Sequence, residues 1–223
     1  MKRLLLTSHA LGNRHSRKLF SKFLEEFPPR PIVGYIPNAQ PNPNGARLRQ
    51  KFSTLKRMGC NPVLIDLRFL KGAKLKKKLD EVDILFVGGG NTFYLLDMLR
   101  KSGFTKILPK LIKQGKGYIG SSAGSYVACP TIEAGTWKPN HSDRNFVGLK
   151  NLKALNLVPF LITAHFQEKY RPIITDASSR TKYPIAALYD TQAVYVRGNK
   201  YKVLGVGRKE YFNKFKSPGS TQR

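Results

Sequence analysis

Acidic side chains are scarce in this sequence. Only 13 Asp and Glu residues accompany 40 Lys and Arg residues among 223, so the formal net charge is +27. The basic residues are spread along the chain, and the densest group, Lys71 to Lys78, falls on a predicted amphipathic helix as its solvated face. Because no segment interleaves basic and aromatic residues as a nucleic-acid stacking surface would, we expect only weak, non-specific binding to nucleic acid.

Cysteine and long apolar runs are also nearly missing. Cys60 and Cys129 form no metal-binding or redox motif, which favours a reducing compartment and therefore the cytoplasm. No apolar run approaches the roughly 20 residues of a membrane span, and the apolar part of the N-terminus is too short for a signal peptide. The sequence predicts no membrane association.

Length and periodicity predict one α/β domain over residues 1–215, followed by a disordered tail over 216–223. A composition of 41% hydrophobic residues excludes wholesale disorder. Strand-like apolar runs alternate with helix-period segments, a pattern typical of a parallel sheet with helices on both faces. The expected strands begin at Leu4, Ile32, Pro62, Asp83 and Tyr118, with a further strand over 157–164. Residues 186–205 are expected to form a small antiparallel hairpin region that closes the domain.

The stretch from Gly117 to Pro130 is the one around which the other motifs are arranged. A short apolar strand leads into Gly120-Ser121-Ser122-Ala123-Gly124, and then into residues that can begin a helix. Small residues on both sides of Ser122 are what a tight strand-to-helix elbow requires, because larger neighbours would clash there. Taken alone, this pattern is equally compatible with an ordinary Gly- and Ser-rich turn.

A second motif follows the strand that ends near Val87. Gly88-Gly89-Gly90 places exposed backbone amides at the carboxyl end of a central strand, where ligands of open α/β sheets bind. We expect this loop and the elbow to lie on the same edge of the sheet.

A nucleophilic serine needs a base within hydrogen-bond reach. Among the four histidines, His165 follows the elbow in sequence and stands at the end of the strand over 157–164. His9 also stands at a strand end but precedes the elbow. His15 and His141 lie in polar loops and are expected to be solvated.

These segments, taken in order, resemble the peptidase E family of aspartyl dipeptidases, which are relatives of cyanophycinase. The resemblance spans about residues 84 to 166. Its motifs are Gly88-Gly-Gly-Asn-Thr-Phe93, Gly120-x-Ser122-Ala-Gly124, Val127-Ala-Cys-Pro-Thr-Ile132, Leu155-Asn-Leu-Val-Pro-Phe160 and His165-Phe166. It implies a flavodoxin-like three-layer α/β sandwich with a mostly parallel central sheet.

The resemblance also implies a serine-peptidase mechanism. Ser122 would be the nucleophile, His165 the general base, and the amides of Gly89 and Ala123 the oxyanion hole. No metal and no organic cofactor is implied. The expected partner is a short peptide substrate, and a homodimer is left open.

The third member of the catalytic triad departs from the family's pattern. In aspartyl dipeptidases an Asp follows the Cys-Pro-Thr-Ile segment by a few residues, whereas Trp137 occupies that place here. Asp143, on a longer loop, is the acid that we predict, with Glu133 and Glu168 as the alternatives.

The sequence thus predicts a serine peptidase for short peptides, among them dipeptides with an N-terminal Asp. Selectivity for aspartate needs a cation in the cleft, and Arg14, Arg144 and Arg171 lie on loops that could supply it. We predict Asn91 and Arg171 as substrate-binding residues. A cyanophycinase-like hydrolase, or an inactive relative that binds acidic ligands or nucleic acid through its basic surface, are the alternatives.

Overall fold

A computed structural model of the chain describes residues 1–139 and 143–215. Ten strands are present within these ranges: β1 (Arg3–Thr7), β2 (Ile32–Ile36), β3 (Asn61–Leu64), β4 (Ile84–Val87), β5 (Gly117–Ser121), β6 (Leu161–Thr163), β7 (Ile185–Ala187), β8 (Gln192–Arg197), β9 (Lys200–Gly205) and β10 (Glu210–Phe212). Seven α-helices accompany them: α1 (Arg14–Leu24), α2 (Gly45–Arg57), α3 (Gly72–Asp80), α4 (Thr92–Lys101), α5 (Phe104–Lys113), α6 (Ala123–Tyr126) and α7 (Arg171–Ser179). The predicted tail over 216–223 and His141 lie outside the described residues.

The main sheet has seven strands in the order β3-β2-β4-β5-β1-β8-β9. The first five are parallel to one another, whereas β8 and β9 run antiparallel to their neighbours. The prediction of an α/β fold with a mostly parallel central sheet is confirmed. The C-terminal hairpin, β8–β9, extends this sheet beyond β1.

Alternating side chains of the buried strands supply two separate cores. Phe86 faces α1 and α2, where it packs with Phe20 and Leu55. Its neighbours Leu85 and Val87 point to the opposite face and pack with side chains of α3, α4 and α5. Successive residues of a strand point to opposite faces, so a strand of apolar residues alone requires helices on both sides. The result is the expected three-layer arrangement.

A second sheet of three strands has the order β10-β7-β6. β6 and β7 are parallel, with Thr163 opposite Ala187, and β10 is antiparallel to β7. Two expectations are corrected here. The strand predicted over 157–164 is only three residues long and belongs to this sheet, and the segment after Pro184 pairs with β6 instead of joining the hairpin. Because β6 and β7 are parallel, their carboxyl ends point in the same direction.

No helix in the described ranges has both the length and the apolar character that crossing a bilayer would require.

Candidate active site

Ser122 lies at the turn between β5 and α6. Its backbone has φ 50° and ψ −110°. Residues other than glycine rarely adopt this conformation, which typically costs about 1–3 kcal/mol of conformational free energy. Hydrogen bonds hold it there: its N–H donates to the carbonyl of Thr7 at 3.0 Å, and its carbonyl accepts from the N–H of Ser125 at 2.7 Å. The strained backbone at this position is therefore fixed by β1 and by the first turn of α6.

The two glycines of the elbow are required by close backbone contacts. A Cβ at Gly120 would lie 2.6 Å from the carbonyl oxygen of Gly124, and a Cβ at Gly124 would lie 2.1 Å from that of Val87. Atoms at those separations overlap, so a larger residue would push α6 away from β4. The small residues noted in the sequence thus let the helix begin directly above the sheet.

His165 brings its imidazole to Ser122. It stands two residues after β6 with φ 55°, and its Nε2 is 3.0 Å from Oγ of Ser122. Its Nδ1 is 2.6 Å from Oδ1 of Asp190. Because an ionised carboxylate can only accept, Nδ1 carries the proton and Nε2 is left to accept from the Ser122 hydroxyl. This is the arrangement that a general base needs.

Asp190 is the carboxylate that contacts His165. It follows β7 by three residues, and a second hydrogen bond to its Oδ1 comes from the hydroxyl of Ser8 at 2.7 Å. Partial burial alone would raise the pKa of Asp190, but the hydrogen bonds that its carboxylate accepts from His165 and Ser8 outweigh this effect and lower that pKa to about 2. Asp190 is therefore ionised throughout the physiological range.

Ser8 joins the base and the acid. The hydroxyl that donates to Asp190 also accepts from the backbone N–H of His165 at 2.7 Å, and Ser8 is fully buried. One side chain at the end of β1 thus holds both the carboxylate and the backbone of the imidazole-bearing residue. Sequence reasoning missed Ser8, since nothing distinguishes a lone serine at a strand end.

The carboxylates proposed from the sequence are engaged elsewhere, which corrects the preference for Asp143. Asp143 accepts from the backbone N–H of Thr92 at 2.9 Å, at the start of α4, and burial raises the pKa of its carboxyl. Glu133 accepts from the hydroxyl of Thr181 at 2.9 Å. Glu168 accepts from Arg171 and from the Tyr189 hydroxyl. Among these carboxylates and Asp190, it is Asp190 that lies within hydrogen-bond distance of Nδ1 of His165.

Asp190 is recognised only once the pairing of two short strands is known. His165 and Asp190 follow β6 and β7, which are parallel neighbours, and the carboxyl ends of parallel strands meet at one edge. Assigning residues 186–189 to an antiparallel hairpin hid that relation.

The glycine loop after β4 passes directly beside Ser122. A Cβ at Gly89 would lie 3.2 Å from Cβ of Ser122 and 3.2 Å from the carbonyl oxygen of Ser121. Within the described part of the chain, the backbone N–H groups of Gly89 and Ala123 donate to no acceptor. Two amides next to the serine, each without an internal partner, are the kind of donor that an oxyanion hole uses.

The two predicted substrate-binding residues make structural contacts. Asn91 caps α4: its Oδ1 accepts from the N–H of Tyr94 at 2.9 Å, and its Nδ2 donates to the carbonyl of Arg144 at 2.9 Å. Arg171 forms ion pairs with Glu168 and Glu210, each at 2.9 Å. Their roles toward a substrate stay predictions. Arg14 and Arg144 have exposed side chains.

Two further basic groups lie near His165. The ring of His9 meets that of His165 edge to face, with centroids 6.1 Å apart, and burial lowers the pKa of His9. Lys138 is 1% exposed and donates to the carbonyl of Ala164 and, at 3.4 Å, to the Tyr126 hydroxyl. Burial lowers the pKa of Lys138 to about 8, although the charges of Asp190 and Asp143 act in the opposite direction. Nothing in the sequence distinguishes Lys138 from the many other lysines of the chain.

Comparisons with known proteins relate the chain to peptidases. Residues 4–204 match the profile of peptidase family S51. An uncharacterized peptidase of Listeria monocytogenes is 32% identical over 152 residues, which are 66% of this chain and 72% of that protein. Peptidase E of Escherichia coli is 40% identical over 88 residues, which are 40% of this chain and 36% of that protein. A crystal structure from L. monocytogenes, provisionally named peptidase E, superposes with a TM-score of 0.77 and 27% identity, covering 93% of this chain and all of that one.

Proposed function

Because the chain belongs to peptidase family S51, we propose that it is a serine peptidase that hydrolyses short peptides, including dipeptides with an N-terminal Asp. The observation that carries the proposal is the hydrogen bond between Nε2 of His165 and Oγ of Ser122 at 3.0 Å. A serine hydroxyl at that distance from an imidazole acceptor can be deprotonated as it attacks a carbonyl.

The proposed reaction has two halves, acylation of Ser122 and hydrolysis of the acyl-enzyme. Oγ of Ser122 attacks the carbonyl carbon while Nε2 of His165 takes the hydroxyl proton, and Asp190 stabilises the imidazolium that forms. The negative oxygen of the tetrahedral intermediate accepts from the amides of Gly89 and Ala123. His165 then gives the proton to the leaving amine. Water, activated by the same imidazole, hydrolyses the acyl-enzyme.

A hydrogen-bonded serine, histidine and aspartate favour an enzyme over an inactive relative that only binds acidic ligands. We also propose a cytoplasmic location, since the two cysteines, Cys60 and Cys129, are both free and buried.

The test is hydrolysis of a panel of dipeptides with varied N-terminal residues, together with β-aspartyl-arginine, by the wild type and by Ser122→Ala. We expect Ser122→Ala to lose at least about 10³-fold in rate while keeping its melting temperature within a few degrees. Preference for β-aspartyl-arginine over every α-linked dipeptide would favour the cyanophycinase-like alternative.

Labelling with a fluorophosphonate gives a second readout that needs no substrate. The wild type and Ser125→Ala should be labelled, and Ser122→Ala should not. Ser125 is a suitable control because it is also a buried serine near the elbow, and its hydroxyl donates to the carbonyl of Thr7. Labelling that persists in Ser122→Ala would exclude Ser122 as the nucleophile.

A further inference from the structure

Lys51, on α2, is a partly buried cation that pairs with no carboxylate of residues 1–139 and 143–215. Its Nζ lies 5.9 Å from the centre of the Tyr35 ring, too far for more than a weak attraction. Within the described part of the chain it forms no ion pair and donates no hydrogen bond. Charged groups that leave bulk water are normally paired, because desolvation costs free energy that only a partner restores. A partly buried lysine without such a partner is suited to an anionic ligand.

A chain of contacts places Lys51 beside the glycine loop of the active site. Lys51 lies over the ring of Tyr35, and the Tyr35 hydroxyl packs against Gly88, where a Cβ would be only 2.7 Å away. The next residue, Gly89, contacts Ser122. Lys51 therefore stands on the α1–α2 side of the loop whose amides flank the nucleophile.

His9 lies at the end of β1, close to His165. Its ring is seated over Gly12, where a Cβ would be 2.3 Å from Nδ1 of His9, so only glycine leaves room for the ring in this position. The ring is 6.1 Å from that of His165.

Positive charge is in excess on this side of the site. Burial is the main cause that lowers the pKa of both His9 and Lys51, and the charge of Lys51 acts on His9 in the same direction. Arg47 adds to the effect on Lys51. The carboxylate that favours a charged His9 is Asp190, which already accepts hydrogen bonds from His165 and Ser8.

We propose that Lys51 forms a subsite that binds a carboxylate of the peptide substrate. The inference rests on the proposed peptidase function. A dipeptide carries its C-terminal carboxylate one residue from the scissile amide, about 3.8 Å along the chain, and an acidic side chain on the N-terminal residue is equally near. Either carboxylate would supply the counterion that Lys51 lacks.

The experiment compares wild type, Lys51→Met, Lys51→Arg and Lys56→Met. Lys56 is the matched control, because it is an exposed lysine of the same helix. Each enzyme is assayed on two peptide pairs: one differs in a free or amidated C-terminus, the other in Asp or Asn at the N-terminus. The wild type should prefer the carboxylate-bearing member of one pair, and Lys51→Met should lose that preference. The pair in which this happens identifies the carboxylate that Lys51 binds.

Loss of a charge-assisted hydrogen bond should raise KM about 10- to 100-fold for the carboxylate-bearing member of that pair, with kcat nearly unchanged. The neutral member should be unaffected. Lys51→Arg should keep most of the preference, and Lys56→Met all of it. If active Lys51→Met keeps the wild-type preference in both pairs, the subsite is wrong while the peptidase function stands. Lys51→Gln replaces Lys51→Met if the latter does not fold.

A thermal-shift titration with succinate tests the subsite without catalysis. Succinate should raise the melting temperature of the wild type and Lys56→Met, and not that of Lys51→Met. No shift in the wild type, or an equal shift in Lys51→Met, would overturn the subsite. A wild type that binds succinate through Lys51 but cleaves no peptide would instead contradict the proposed function alone.

Discussion

A single buried hydroxyl connects His165 and Asp190, the two residues that we propose prepare Ser122 for attack. Ser8 donates to Asp190 and accepts from the backbone of His165, so it is a positioning residue that never needs to touch the substrate. Such a residue should act on the rate of the chemical step and leave substrate binding unchanged.

Ser8→Ala should lower kcat about 10- to 100-fold with little change in KM, because a hydrogen bond to a charged group is worth about 1.5–3 kcal/mol. Ser102→Ala is the matched control: Ser102 is also a buried serine, and its hydroxyl donates to the carbonyl of Leu99 away from the site. Measured by urea unfolding, Ser8→Ala should lose about 1.5–3 kcal/mol of stability and Ser102→Ala about 1 kcal/mol. If the two substitutions lower kcat equally, Ser8 has only a structural role.

The acid on His165 can be identified by comparing two carboxylates. Asp190→Asn should lower kcat by roughly 10³–10⁴-fold, since an amide at Nδ1 favours the wrong tautomer of the imidazole. Asp143→Asn should retain most of the activity, because Asp143 accepts from a backbone amide at the start of α4. Steady-state kinetics on the best dipeptide checks both. A larger loss of kcat in Asp143→Asn than in Asp190→Asn would instead identify Asp143 as the acid of the triad.

Lys138 should give the protein a specific dependence of stability on pH. Its pKa in the folded state is about 8, below the 10.5 of an exposed lysine, so the unfolded chain binds more protons between these values. The free energy of unfolding should therefore rise with pH across that window, by up to about 3 kcal/mol. In Lys138→Met this contribution should be missing when urea unfolding is compared at pH 7.5 and pH 10. Parallel pH profiles of the two proteins would contradict it.

Among the secondary-structure elements, the turn from β5 into α6 determines where Ser122 lies. β4 runs so close to α6 that the carbonyl of Val87 fills the space that any side chain at position 124 would need. The position of Ser122 therefore depends on contact between two backbones.

Gly124→Ala should displace α6 from β4 and cost about 1–3 kcal/mol of stability, the usual range for overpacking. Labelling of Ser122 by the fluorophosphonate should fall with it. Gly45→Ala is the control: a Cβ there would meet only the flexible end of Arg49 at 3.4 Å, at the first position of α2. Alanine at Gly45 should be neutral or slightly stabilising. Equal melting temperatures of the two variants would show that the close contact at Gly124 can relax.

Two kinds of element could be predicted from the sequence. The first are long enough to show a hydrophobic period, and the second are marked by glycines in a turn. The run at β4, with Phe86 between Leu85 and Val87, indicated a strand buried on both faces, and the elbow glycines marked the turn at Ser122. β6 and β7 have three residues each, too few for a period to show, so their parallel pairing was not predictable. The position of Asp190 depends on that pairing, whereas the prediction of Asp143 rests on the family's pattern of an acid that follows the Cys-Pro-Thr-Ile segment.

For the whole molecule, the net charge of +27 is the dominant long-range property. We expect weak binding to any polyanion at low ionic strength, because the field acts without regard to sequence. At physiological salt the Debye length is about 8 Å, which screens most of that attraction. Titrations against random and structured DNA and RNA at 20 and 150 mM salt measure this. Tight binding with a sequence preference at the higher salt would instead favour a nucleic-acid-binding function.

The order of strands in the main sheet has a consequence for biosynthesis. β1 is formed by the first residues of the chain, yet it lies between β5 and β8, so its neighbours are translated more than a hundred residues later. Ser8, Ser122, His165 and Asp190 are likewise distributed along nearly the whole chain. Contacts between such distant segments form late and slowly. A ribosome-bound fragment that ends before β8 lacks the strand that pairs with β1 opposite β5, so we expect such a fragment to show no peptidase activity.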